Sequence, residues 1–472
     1  MFWKPRPQKT STRITLWINR GSRVTFSIPN PHVLGQIGGT VDSAKHNLAS
    51  TFVNAFVNAG FCSDKLMTPP DSQWIYKNKD NAKLSAIASL GMIHLWDLES
   101  GFTALDKYTY KSDDFHNAGA MLGIGMVSSG ITSEMDGAFA ILSERLAEAP
   151  DNNVKISVIL GLGFSYAGSA REDLFELLSP YASSSEEHLE VSAFAALALG
   201  MVFVGEKADT VSGSILDGLL SRTETDLNNS LSIFFGLAIG LLFLGRGEAC
   251  EAMLEAIKII DHPVRTSFEL ALEVCAFCGT GNVLQVQKFL SVVGEHLESE
   301  EKAKHQAIAV IGIATVLMSE TIGSEMSSRL FDTMLQYADI TVKRAIPLAL
   351  GLLSVSQPKI GIMEVLSKLS HDNDEFVSQN AVFSLGMIGA GTNNSRIAQM
   401  LRQLSVFFGK DPNHLFLVRI AQGLLHMGKG LLTLSPFHSD GLLMSKVAFA
   451  GLLALIFSML DASNSKIQRF LV

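Results

Sequence analysis

Three small groups of residues in this chain have types and spacings that could do chemistry. Cys275-Ala-Phe-Cys278 has the C-x-x-C spacing used in disulfide exchange, or in zinc binding when a second pair or a suitably spaced His is present. The run His371-Asp372-Asn373-Asp374-Glu375 concentrates an imidazole and three carboxylates, a set able to ligate a metal. Gly123-Ile-Gly125 and Gly161-Leu-Gly163 each supply two of the three glycines of a dinucleotide-binding turn.

Context argues against each. No second Cys pair or His with zinc-finger spacing accompanies Cys275 and Cys278, and both lie in an apolar stretch where small buried thiols are expected. The acidic run falls between two helical segments, where Asp and Asn act as caps. Ser128 and Tyr166 stand where the third glycine belongs, and no GxxxxGK[ST] occurs, so neither nucleotide binding nor ATP hydrolysis is expected. No nucleophile, base and orienting acid form a set. The chain therefore reads as a non-enzyme, with no catalytic, metal-binding or cofactor-binding residues.

The elements that carry these residues repeat. A stretch of Ala, Leu, Ile and Val, a Gly, four mostly apolar residues and a second Gly or small residue recur ten times. The copies end at Trp96, Gly130, Gly168, Gly205, Gly245, Gly279, Ser319, Ser356, Gly391 and Gly428, in steps of 34 to 40 residues with a mean near 37. After each copy comes a polar link and then apolar residues at helical spacing, such as Leu174, Leu177 and Leu178, or Ile215, Leu219 and Leu220. Links such as Asp151-Asn152-Asn153 and Asp411-Pro412-Asn413 supply helix starts. Each unit is thus a helix pair, one helix amphipathic and the other apolar and rich in small residues. The second has no polar face and must be packed on all sides; its terminal Gly suits a left-handed cap. The predicted fold is all-α, a solenoid of about ten such pairs.

An open solenoid would expose a row of apolar helices to water. Either the inner helices line a tightly curved or closed ring, or something fills its centre. Two segments could serve as a plug, the fourteen-residue apolar run Val447 to Leu460 and the earlier Asn47 to Phe61. The first is too short for a membrane span, which takes about 20 residues.

Composition sets the remaining bounds. With 472 residues, 47% hydrophobic and 18% charged, the chain has ample material for a large core, and its four cysteines fit a reducing compartment. The first 41 residues hold Lys4, Arg6, Lys9, Arg13, Arg20 and Arg23 and no acid, so they carry +6 while the rest carries −15 of the net −9. An acidic body is a poor match for nucleic acid. Residues 1–30 share the acid-free, Arg- and Ser-containing character of a mitochondrial transit peptide, but Pro5, Pro7 and the β-branched clusters favour an irregular extension.

The glycine-rich unit resembles the proteasome/cyclosome repeat, a family that includes large scaffold subunits of the 26S proteasome. The stretches that carry the resemblance include WIYKNKDNAKLSAIASLGM from Trp74, GLGFSYAGSAREDL from Gly161 and KRAIPLALGLLSVS from Lys343. The most specific are SHDNDEFVSQNAVFSLGMIGAGTNN from Ser370 and FLVRIAQGLLHMGKG from Phe416, and the resemblance runs from about Val41 to Leu460. It implies a closed toroid around central helices and no catalytic activity. It also implies a regulatory-particle base subunit of cytoplasm and nucleus that docks on proteasomal ATPase subunits and binds ubiquitin chains, ubiquitin-like domains of shuttle receptors and a deubiquitinase. One recognition face of the family aligns with Ala208 to Leu227. There its acidic positions fall on Thr210, Asp217 and Ser221, with Asp209 beside Thr210; only Asp217 keeps the carboxylate. Asp217 and Ser221 share a helix face, while Ile215, Leu219 and Leu220 are expected to face the core.

The expected organisation is a basic extension over 1–40, the repeat ring with its leading helix over 41–440, and an apolar helix with a short tail over 441–472. The family's helical region before the ring and its β-rich segment after it have no counterpart here, and its charged insertion shrinks to GEHLESEEKAKH, Gly294 to His305. The alternative function is a free helical-repeat adaptor that binds ubiquitin-like or other proteins outside the proteasome.

Overall fold

In a computed structural model of the chain, the structure describes residues 43–460 except 70–71, 79–80, 112, 134, 150, 297–302 and 439–443. The basic N-terminal segment and the tail after Leu460 lie outside the described residues, as does part of the shortened insertion. The described residues all belong to one compact unit. Among the described residues the fold is all-α, with a single isolated bridge between Phe437 and Met444. None of its helices is long and apolar enough to cross a membrane.

The apolar helices of the repeats are α2 (Asn81–Ile93), α4 (Asp114–Val127), α6 (Asn152–Ser165), α8 (Leu189–Val202), α11 (Ile233–Leu242), α13 (Arg265–Ala276), α15 (Lys304–Leu317), α17 (Ile340–Leu353), α19 (Glu375–Gly389) and α21 (Pro412–Leu425). Each packs against the next in the series. The leading helix α1 (Ser43–Val57) packs against both α2 and α21, so these inner helices close into a ring. Asn47 to Phe61 is therefore wall and not plug: Gly423 of α21 lets the backbone of Val53 approach, as the glycines between other neighbours do.

The amphipathic helices form an outer layer: α3 (Leu98–Thr109), α5 (Gly137–Glu148), α7 (Glu172–Ser183), α9 (Asp209–Leu220) with the short α10 (Glu224–Leu227), α12 (Glu251–Ile257), α14 (Val283–Val293), α16 (Thr321–Tyr337), α18 (Ile360–Leu369) and α20 (Ser395–Phe407). They bury one stripe each, for example Leu174 and Leu178, or Val211, Ile215 and Leu219. The last helix, α22 (Lys446–Leu460), packs inside the ring against α8, α11 and α17, with Phe449, Leu453, Ile456 and Phe457 buried. A cavity of about 200 Å³ remains between its Val447, Ala450 and Gly451 and the ring residues Met92, Met126, Phe164 and Met201.

Two features fix the spacing between repeats. The first is contact between the backbones of neighbouring inner helices: a Cβ placed on Gly125 of α4 would lie 2.3 Å from the Cα of Gly161 in α6. The second is a pair of bonds that recurs at the ends of several copies. Gly168, at φ +73°, donates its amide to the Met201 carbonyl at 2.9 Å, and Ala170, at φ +53°, donates to Val202 at 3.1 Å. The same two rungs join Gly205 and Lys207 to Leu241 and Leu242, Gly279 and Gly281 to Thr315 and Val316, and Gly391 and Asn393 to Leu424 and Leu425. Terminal carbonyls that a helix cannot satisfy internally are thus satisfied by the preceding repeat. Where Trp96 and Ser356 replace the terminal glycine, they adopt the same left-handed conformation, at φ +68° and +55°. At the other end of the inner helices Asp113, Asp151, Asp374 and Asp411 act as N-caps.

Gly125→Ala should destabilise the ring by about 1–3 kcal/mol through overpacking. Gly213→Ala, on α9 with nothing near its Cβ position, should stabilise by up to about 1 kcal/mol through helix propensity. Denaturant unfolding of the two variants checks the contrast; equal effects would contradict backbone-to-backbone packing as the determinant.

Candidate functional site

Helix α9 projects from the third and fourth glycine-terminated copies, and its buried residues Val211, Ser212, Ile215, Leu216, Gly218 and Leu219 hold it against the ring. Asp209, Thr210, Asp217 and Ser221 are all exposed. Thr210, Asp217 and Ser221 are seven and four residues apart, about two turns and one turn, so they form one outward stripe. The Ser221 hydroxyl donates to the Gly218 carbonyl at 2.8 Å, a local bond at the helix C-terminus.

Leu220 corrects the sequence reading. It was expected in the core with Ile215 and Leu219, but it is 47% exposed whereas those two are at 0% and 1%. Its position three residues after Asp217 places it on the outward stripe, and that spacing was the available signal. An apolar side chain therefore lies beside the Asp217 carboxylate and the Ser221 hydroxyl on an otherwise polar face.

The surface next to this stripe is acidic. Helix α7 packs beside α9 and exposes Glu172 and Glu176, its Asp173 being paired with Arg171, while α10 exposes Glu224. Ser179 of α7 and Ser214 of α9 are joined through their hydroxyls at 2.8 Å. Gly218 allows the close approach, since a Cβ there would lie 2.4 Å from the Ala182 carbonyl oxygen. The nearby Arg222 does not neutralise the face. Its side chain is 3% exposed and turned inward, donating to the Glu187 carbonyl at 2.8 Å, to the Ser184 carbonyl and to the Ser192 hydroxyl. Burial pulls the guanidinium pKa down, against the pull of Asp226 and Glu187. Sequence reading missed Arg222; its role depends on a loop one repeat away.

The arrangement can bind through charge and a small apolar contact, but it holds no reacting groups. Elsewhere, Cys275 and Cys278 are free buried thiols in and just after α13, and burial raises the pKa of both well above that of an ordinary thiol. Gly123, Gly125, Gly161 and Gly163 lie inside helices, with no strand preceding them. Asp374 caps α19 by accepting from the amides of Phe376 and Val377, so that part of the acidic run is a capping turn.

Two stretches, residues 157–190 and 380–410, match the model of the proteasome/cyclosome repeat. The chain is 49% identical over 432 residues to the 26S proteasome non-ATPase regulatory subunit 2 of Dictyostelium discoideum, covering 91% of this chain and 48% of that protein. It is 50% identical over 431 residues to homolog A of the same subunit in Arabidopsis thaliana, and 46% identical over 431 residues to the 26S proteasome regulatory subunit rpn-1 of Neurospora crassa. Each of these two matches covers 90% of this chain and 48% of the relative, so the chain spans about half the length of the curated relatives it matches.

Leu219→Ala should cost about 2–5 kcal/mol, as for a buried leucine. Leu220→Ala should change stability by less than about 1 kcal/mol, in keeping with its half-exposed position. Thermal unfolding of the pair checks which leucine belongs to the core and which to the surface.

Proposed function

We propose, for a chain that carries proteasome/cyclosome repeats and is similar over nine-tenths of its length to proteasome regulatory subunits, that it is a non-catalytic scaffold of the 26S regulatory particle base. The observation that carries this reading is the 49% identity over 432 residues to a proteasome subunit named as non-ATPase. In this reading the ring, residues 41–440, docks on proteasomal ATPase subunits in cytoplasm and nucleus. Residues 441–472 provide its apolar helix and tail, and residues 1–40 form a basic extension.

The outer face of α9 is the proposed recognition surface for ubiquitin chains, ubiquitin-like domains and a deubiquitinase. Asp209, Thr210, Asp217 and Ser221 lie on its exposed side, with Leu220 among them. A partner with a basic rim around an apolar patch complements such a surface. Asp217 supplies charge and Leu220 the apolar contact. Thr210 and Ser221 carry no charge, which weakens attraction relative to a face with three carboxylates.

Pull-down with ubiquitin chains or a ubiquitin-like domain tests the face. Asp217→Arg should reduce binding by about tenfold or more, as expected when an attractive charge is reversed at an interface. Thr210→Asp combined with Ser221→Glu should strengthen it. Unchanged binding in Asp217→Arg would remove Asp217 from the surface. Co-purification with base ATPases tests the scaffold role; ubiquitin binding without it would favour the free adaptor.

A further inference from the structure

Two charged side chains other than histidine are buried among the described residues, Glu273 and Arg419. Glu273 of α13 is paired with Lys288 of the neighbouring α14. Arg419, midway along α21, is 8% exposed and has no carboxylate at ion-pair distance among the described residues. Its side chain makes a single hydrogen bond among them, from Nη1 to the side-chain oxygen of Gln422 at 3.2 Å, and its Nε is enclosed without a partner. Lys83, Lys155, Arg265 and Arg344, on other inner helices and all less buried, each have a carboxylate within 3.4 Å. A guanidinium withdrawn from water with no acid beside it destabilises the fold that holds it.

The charge sits at a seam. Gln422, which orients it, donates to the Leu401 carbonyl of α20 at 3.4 Å, so this face of α21 looks toward the outer layer. Helix α20 covers α21 on the α19 side. On the α1 side no outer helix follows among the described residues, because the chain continues from α21 to α22 inside the ring. The ionisable group that feels the guanidinium there is His46, half-buried in the first turn of α1, with the exposed Lys45 beside it. Burial, and then the Arg419 charge, pull the His46 pKa down, so the imidazole is neutral near pH 7. Burial also lowers the pKa of Arg419, and no carboxylate acts against it.

We propose that the seam between α21 and α1 binds a carboxylate of an acidic peptide segment, with Arg419 as its principal ligand. The guanidinium edge that carries Nε is the unsatisfied one, and the paired oxygens of a carboxylate fit such an edge. The exposure that Arg419 keeps and the half-buried His46 give the approach, and the N-terminal end of α1 favours a negative charge. One guanidinium and a neutral imidazole supply a single positive charge, which matches one carboxylate and leaves a phosphate, at about −1.5 to −2, in excess. The segment occupies the outer position that most other seams fill with a helix of this chain. The acidic body of the protein disfavours such a peptide elsewhere.

The test uses the full chain and a hexaglutamate peptide blocked at both ends. The peptide should bind saturably, more weakly as salt is added, and should raise the thermal midpoint because it binds the folded form. Arg419→Met should weaken binding by about tenfold or more. The same variant should raise the midpoint of the free protein, since a buried charge is replaced by an apolar chain of similar length. Arg396→Met, at an exposed arginine paired with Glu364, should leave binding unchanged. Absence of saturable binding up to millimolar peptide would overturn the proposal, as would binding that Arg419→Met leaves intact or that Arg396→Met weakens equally. A lower midpoint in free Arg419→Met would also overturn it, because the guanidinium would then be satisfied within the fold. Inorganic phosphate binding as tightly as the peptide would overturn the carboxylate assignment.

Discussion

The structure depends on inner helices that touch through their backbones. Where Gly125 faces Gly161, or Gly200 faces Ala238, no Cβ fits between neighbours, and the side chains that remain on these helices are buried on every side. Such a helix has no face to give to water. A row of them is compatible with solution only if both ends of the row are covered, which open repeat arrays achieve with polar terminal repeats. Here the ends cover each other through α1, and α22 takes up part of the apolar interior.

Close approach alone would allow neighbouring helices to slide. At most of the copies a left-handed residue at the end prevents this by donating its amide to a carbonyl in the last turn of the next inner helix. The glycine at this position is therefore both a helix terminator and a connector between repeats, which explains why Trp96 and Ser356 accept an unfavourable conformation in its place. Register on the inside is fixed by backbone geometry. On the outside each helix is constrained only along its buried stripe, so solvent-facing residues can change without disturbing the ring.

That division also decides what the sequence could convey. The period, the pairing of an apolar with an amphipathic helix, and the capping roles of Asp151, Asp374 and Asp411 are local properties, and all were readable. Asn47 to Phe61 was ambiguous because an apolar helix reads alike whether it stands in a wall or fills a hole; only the α21 contact distinguishes them. Leu220 reads as core because it adjoins the buried Leu219, although its spacing from Asp217 points outward. The inward turn of Arg222 is unreadable because its acceptors, Ser184, Glu187 and Ser192, belong to the link before α8 and to α8 itself, 30 to 38 residues earlier.

Residues about one period apart are neighbours in this fold, and this rule unites its separate surfaces. Ser179 meets Ser214, Lys83 meets Asp113, and Glu375 approaches Asp411, at separations of 30 to 36 residues. A repeat protein of this kind therefore builds each site from two copies of one unit, and the character of the site depends on how the copies differ. Opposite charges at paired positions yield an internal ion pair, as at Lys83 and Asp113. On the outer layer the same logic sets the exposed carboxylates of α7 beside α9, so the proposed recognition surface is two helices wide. Glu172 and Glu176 stand at the end of α7 that lies beside the start of α9, where Asp209 and Thr210 are.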